Sequence, residues 1–186
     1  KERNNNPDTL LFLSQTVSDA HMRRSCKGNF TYIGRHEKDA IIEIVNNFDR
    51  LAEHFGVHKM KIRLHPSERQ FRHKDIIKRH EGLEFEVEQA HDCELLESIA
   101  NTRVVIGMTS IALFISYICG KPTISFIPEA SVKCTLPLPP EICVHSISEI
   151  CRIPYETFTK HGEQINLFLN RNLESLFMKI EKGQAL

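Results

Sequence analysis

His65 is followed by Pro66 at the end of an alternating run, and Gly107 is followed two residues later by Thr109-Ser110 at the end of a short apolar one. Each cluster is suited to holding an anion. An imidazole N–H donates to a phosphate oxygen, and a protonated ring does so more strongly. Pro66 holds the turn rigid and withholds a backbone donor. Thr109 and Ser110 add two hydroxyl donors where a helix is about to open. The free amides and dipole of a helix N-terminus favour negative charge there. Gly107 has no side chain, so the backbone can come close to a ligand. Ser and Thr are also the commonest helix N-caps, which gives the same pair a purely structural use.

These residues need elements to position them. Thr9 to Leu13 is an apolar run suited to a strand buried on both faces, ending in the polar Ser14-Gln15-Thr16. Glu37 to Phe55 carries Ile41, Ile42, Val45, Phe48, Leu51, Ala52 and Phe55 at the spacing of one helical face, and Gly56 is a suitable stop. Lys59 to Leu64 alternates Met60, Ile62 and Leu64 against Lys61 and Arg63, which predicts a strand with one polar face. A short basic helix follows from Arg69 to His80, and a strand from Leu83 to Val87. Asp92 to Ala100 reads as a helix with Asp92 as N-cap, Arg103 to Gly107 as a buried strand, and Thr109 to Cys119 as a buried helix. Thr123 to Ile127 and Ile142 to His145 are further strands, Ser146 or Ser148 caps a helix to Ile150, and His161 to Lys182 is helical.

Such alternation predicts a Rossmann-like three-layer α/β/α sandwich with a mainly parallel sheet of about six strands. In such a sheet ligands bind beyond the carboxyl ends of the strands, where the strand order reverses. With Thr9 to Leu13 first and Arg103 to Gly107 fourth, the crevice is lined by Ser14-Gln15 and by Gly107-Met108-Thr109-Ser110. His65-Pro66 falls at the same edge.

The 186 residues fit one domain, residues 9–186, behind a polar linker of residues 1–8. The chain starts at Lys1 in an Asn-rich stretch, which reads as a piece cut from a longer protein, though a processed or tagged full-length protein would look the same. Twenty-four basic residues balance 24 acidic ones, so no net charge draws the chain to nucleic acid or anionic lipid. Six cysteines, at 26, 93, 119, 134, 143 and 151, include no CxxC pair, and buried free thiols are expected. No metal site is expected, and with no leader or membrane-length apolar run visible the location expected is cytoplasmic. The basic stretch Arg69 to Arg79 reads as a solvated helix face, with contact to an anionic glycan or nucleotide as the functional alternative. Glu94 and Glu97 read as exposed helix positions rather than acid–base groups.

The succession of a strand ending in His65-Pro66, a helix opening Asp92-Cys93-Glu94-Leu95-Leu96, the strand Val104-Val105-Ile106-Gly107, the start Thr109-Ser110 and then Gly120-Lys121-Pro122-Thr123-Ile124 resembles the C-terminal donor-binding domain of GT-B glycosyltransferases. The likeness covers roughly Leu10 to Ile150. It is closest to bacterial sialyltransferases, polysialyltransferases and capsule or lipopolysaccharide transferases that use CMP-sugars. CDP-glycerol transferases and the non-hydrolysing UDP-sugar 2-epimerases are similar. The resemblance implies that His65 holds the donor phosphate and eases departure of the nucleotide. It implies that Thr109 and Ser110 bind the same phosphate, that Pro66, Ser14 and Gln15 border base or ribose, and that Glu129 accepts from ribose hydroxyls. The implied partners are a CMP-sugar or other nucleotide-sugar donor, a glycan acceptor and an N-terminal domain carrying the acidic general base, with peripheral attachment of the full protein to a membrane. No cofactor is implied, and the domain alone is expected to be inactive. The epimerases have a Gly-rich stretch where this chain has Met108-Thr109-Ser110-Ile111, and no GxGxxG follows the first strand as NAD binding would need. A non-catalytic α/β module that binds a partner is the remaining alternative.

Overall fold

A run without polar positions must be covered on both faces. All five residues of β1 (Thr9–Leu13) are buried, at the centre of the sheet. The computed structural model describes residues 7–15, 37–68, 70–71, 74–77, 82–128 and 134–158. After β1 come α1 (Glu37–Asn46), α2 (Phe48–Phe55), β2 (Lys59–Arg63), α3 (Lys74–Ile77), β3 (Glu84–Glu88) and α4 (Leu95–Ala100). Then follow β4 (Val104–Gly107), α5 (Ile111–Ile118), β5 (Thr123–Phe126), β6 (Cys143–Val144) and α6 (Ile147–Ile150), with a 3-10 turn at Pro140–Ile142 before β6.

The six strands pair in parallel in the order β3-β2-β1-β4-β5-β6. This is a Rossmann-like α/β fold. The order runs outward from β1 to β3 on one side and from β4 to β6 on the other. The reversal therefore lies between β1 and β4, the place at which sheets of this kind bind ligands.

Register divides the side chains between two faces. Leu10, Phe12, Met60, Ile62, Val104, Ile106, Ile124 and Phe126 form one cluster with Ile41, Ile44, Leu51 and Phe55 of α1 and α2. Leu11, Leu13 and Val105 form the other with Ile99 of α4 and Leu113 of α5. Truncating a side chain such as Phe12, which has no exposed surface, costs about 3–5 kcal/mol. The second face carries one continuous row across the sheet, Glu88–Arg63–Leu13–Gly107–Ser125–Cys143, fixed by the pairing. Its members are the last or near-last residues of their strands, so this row floors the ligand edge.

Several local expectations change. The long helix from Glu37 breaks at Asn47, whose side-chain amide donates to the Glu43 carbonyl at 2.9 Å while its own backbone leaves helical geometry at φ −119°, ψ 21°. A short polar side chain competes in this way with the helical ladder. The α2 helix ends as expected at Gly56, whose φ of 65° is left-handed. Asp92 is not an N-cap: its carboxylate accepts from the Gln89 amide at 2.7 Å in a separate turn, and Glu94 occupies the cap position of α4. Ser146, not Ser148, caps α6, in a capping box with Glu149. The expected strand from Ile142 to His145 shrinks to Cys143–Val144 because Pro140–Ile142 turns as a 3-10 segment. The helix α5 is only half covered: Leu113 and Ser116 are buried, Phe114 and Tyr117 are partly exposed, and Ile111 is 66% exposed. The described cysteines are free thiols but none is buried: Cys93, Cys134, Cys143 and Cys151 are half-buried and Cys119 is exposed. Cys26, the helix expected from His161 to Lys182 and most of the basic stretch Arg69 to Arg79 lie outside the described residues. No helix among the described residues is long and apolar enough to cross a membrane.

Candidate functional site

The strands β1, β2 and β4 end side by side at Leu13, Arg63 and Gly107, so their following loops meet. The amide of Ser14 donates to the Arg63 carbonyl at 2.9 Å, prolonging the β1–β2 pairing by one step. Ser14 Oγ then donates to Glu68 Oε2 at 2.5 Å. The same carboxylate oxygen accepts from the His65 amide at 2.9 Å, and the Glu68 amide returns a bond to the His65 carbonyl at 2.8 Å. Glu68, 8% exposed, thereby locks the turn at Pro66 against the end of β1.

That turn also sets the state of the imidazole. His65 Nδ1 lies 3.2 Å from the Ser67 amide nitrogen and 2.8 Å from Ser67 Oγ. A backbone amide can only donate, so Nδ1 is an acceptor and the neutral ring carries its hydrogen on Nε2. His65 is half-buried, and its Nε2–H is the donor the turn does not use.

Across the crevice Ser110 caps α5, its Oγ accepting from the Ala112 amide at 3.2 Å. Its hydroxyl hydrogen remains free to donate. The amides of Ser110 and Ile111 have no acceptor within the helix. Thr109 is differently placed: its amide and its hydroxyl both reach Gln15 Oε1, at 3.2 and 3.4 Å. Gln15 is held in turn by its amide, which donates to Glu37 Oε1 at 2.8 Å. Gln15 is 5% exposed, and its buried Nε2 has no hydrogen-bond partner among the described residues. The side-chain carbonyl of Gln15 thus occupies an oxygen position at the start of α5, and its amide is left unsatisfied beside it. A buried donor without an acceptor costs about 1–3 kcal/mol.

Ser14, His65, Pro66 and Ser110 line one cavity of about 200 Å³, together with Leu13, Arg63, Leu64, Leu95, Ile111 and Ala112. Of the residues singled out from sequence, these four meet at the cavity, and Gln15 and Thr109 meet each other beside it. Gly107 also packs closely: a β-carbon there would lie 3.4 Å from Leu113 Cδ1 and 3.4 Å from Leu13 Cβ, so its bareness eases the packing of α5 on β1. Glu129 lies outside the described residues. Glu94 and Glu97 are exposed, as expected.

Two residues escape a reading of the sequence. Glu68 stands three positions after His65, the interval at which a carboxylate returns to an earlier amide, as in a capping box. Arg63, placed by alternation on a polar face, is 7% exposed. Its guanidinium pairs with Glu88 and Ser98 and donates to the carbonyls of Ala90 and Cys93 at 3.2 and 2.8 Å. Lys61 adds bonds of 3.1 Å to Glu88 and Glu86. Burial opposes ionisation of Glu88, but hydrogen bonds from Ser98, Arg63 and Lys61 outweigh it and hold its carboxyl below the usual glutamate range. Burial likewise works against the Lys61 ammonium, and its bonds to Glu88 and Glu86 keep it above the usual lysine range. This network fixes α4 and the wall of the cavity. Among the described residues no three His, Cys, Asp or Glu side chains gather as a metal site.

Compared with family models, with curated proteins and with solved structures, the chain finds no match. The site is therefore read from its own geometry.

Proposed function

We propose that the domain holds the phosphate of a nucleotide-sugar at the N-terminus of α5, as the donor half of a glycosyltransferase. The observation that carries the reading is that His65 and Ser110, from two different strand–helix turns, line the same cavity at the reversal of the sheet. A helix N-terminus, a hydroxyl hydrogen and an Nε2–H then converge on one anion.

In this reading the acceptor hydroxyl attacks the anomeric carbon and the nucleotide phosphate leaves. His65 and Ser110 stabilise the charge that grows on that phosphate. The reaction inverts the anomeric centre, and the general base comes from a companion domain across the crevice, which also holds the glycan acceptor. The cavity of about 200 Å³ falls below the ~300–1,000 Å³ of sites that enclose a whole small ligand. It suits one phosphate and part of a sugar, the rest of the donor lying toward the companion domain. This agrees with the likeness of His65-Pro66 and Thr109-Ser110 to CMP-sugar transferases, whose products are surface polysaccharides.

Calorimetric titration with CMP, CDP, UMP, UDP and GDP tests the assignment. Preferential binding of CMP is expected. A preference for UDP would shift the reading to a UDP-sugar transferase or 2-epimerase, and no binding at millimolar concentration would replace it with a partner-binding module.

A further inference from the structure

A second cavity, of about 380 Å³, opens beyond the ends of β5 and β6, lined among others by Ser125, Cys134, Cys143 and His145. Nothing in the phosphate site uses it. Cys143 and Ser125 are neighbours in the cross-sheet row, and Cys134 lies close enough to Cys143 to act on its thiol. The Cys143 thiol also reaches the Pro139 carbonyl at 3.5 Å. Two thiols from separate segments thus share the wall of one open cavity, where a small solute can enter.

We propose that Cys134 and Cys143 are a thiol pair that hydrogen peroxide converts reversibly to a disulfide. The two sulfurs are not equivalent. Burial, and next the neighbouring Cys134, push the Cys143 thiol up to about 12, so Cys143 is a poor first nucleophile. Attack falls to Cys134, whose thiolate takes one peroxide oxygen and becomes a sulfenic acid while hydroxide leaves. The Cys143 sulfur then attacks the Cys134 sulfur, gives up its proton and displaces the sulfenic oxygen as water. In sum two thiols lose two protons and two electrons, and one peroxide becomes two waters. The second step is intramolecular between two groups on the wall of one cavity, which favours it over further oxidation of Cys134. A dithiol reductant reverses the bond by thiol–disulfide exchange.

The bond would also reach the phosphate site. Ser125 Oγ donates to the Met108 carbonyl at 2.6 Å, one residue before Thr109. Cys143 pairs with Ser125 across the sheet, so drawing Cys143 toward Cys134 would pull on that position. Any effect on nucleotide affinity rests on the function proposed above; the disulfide does not.

Peptide mapping of the whole chain after brief treatment with peroxide tests the pair. A cross-linked peptide joining Cys134 to Cys143, lighter by two hydrogen atoms and lost on reduction, is expected. Cys134→Ser should abolish the cross-link, and Cys143→Ser should trap Cys134 as a sulfenic acid detectable with dimedone. Cross-links confined to other cysteines, or oxidation of Cys134 in wild type straight to sulfinic acid without a bond to Cys143, would overturn the proposal. Both outcomes are read without any nucleotide, so failure of the donor-site reading leaves them unaffected.

Discussion

The amide of Ser67 lies 3.2 Å from Nδ1 of His65, and this one contact fixes which nitrogen of the ring carries the hydrogen. A long-range proton–nitrogen NMR spectrum of the neutral ring should place the hydrogen of His65 on Nε2. A signal pattern with Nδ1 protonated would contradict the geometry. Replacing Ser67 with Ala removes the hydroxyl but keeps the amide, so the tautomer should persist.

Glu68 joins two loops through one oxygen, accepting from Ser14 Oγ and the His65 amide. Glu68→Ala leaves both donors without their acceptor in a buried place and should cost about 1–3 kcal/mol in denaturant unfolding. The same change frees the His65 turn, so phosphate or nucleotide affinity should fall as well. Unfolding and calorimetry on the variant check both; loss of stability with unchanged affinity would separate Glu68 from the site.

Gln15→Glu tests the anion position directly. Its carboxylate would replace the carbonyl that now faces Thr109 and would interact with the N-terminus of α5. Stability at neutral pH should hold or rise by a few tenths to about 1 kcal/mol. Phosphate binding should weaken by repulsion between like charges. Tighter nucleotide binding in Gln15→Glu would show that the phosphate sits elsewhere.

Arg63 and Glu88 are buried partners, so their single and double replacements should differ in kind. Glu88→Gln strands the guanidinium and should cost about 3–5 kcal/mol. Arg63→Met with Glu88→Leu removes both charges and should be far less damaging than the sum of the singles. Thermal or denaturant unfolding of the three variants gives the coupling.

The folded-state shift of Glu88 also predicts a pH dependence. Its carboxyl is held below the unfolded value near 4.5. The stability it contributes is present above that value and is lost as pH falls through the lower folded value. Lys61 is raised, so its share is complete below about 10.5 and is lost as pH rises beyond that. Wild type should lose stability more steeply than Arg63→Met/Glu88→Leu as pH drops below about 4.5. Parallel curves would remove Glu88 from the acid response.

The sheet was legible because its signals are local and repeated. Leu10 to Leu13 and Val104 to Ile106 have no polar position, and Met60, Ile62 and Leu64 alternate, so the strands follow from hydrophobic period, and their order of alternation with helices argues a parallel sheet. The ligand edge followed from that order, and it brought Ser14, His65, Pro66 and Ser110 to one cavity. What stayed hidden depends on long-range pairing. Arg63 looks like any exposed strand cation until register sets it against Glu88 and α4 brings Ser98. Gln15 and Thr109 are sequence-distant partners, and nothing in either stretch announces their bond. Gly107 suggested room for a ligand, and nothing beside it in the chain announces its packing against Leu13 and Leu113. Asn47 breaks its helix through a single side-chain bond that periodicity does not register.

The central claim is that His65 and Ser110 hold one phosphate. Calorimetric titration of CMP against wild type, His65→Ala and Ser110→Ala addresses it most directly. A hydrogen bond to a charged group contributes about 1.5–3 kcal/mol, so affinity should fall at least about tenfold in each variant. The double variant should lose less than the product of the two, since both groups serve the same ligand. Binding of CMP that both single variants leave unchanged would contradict the account.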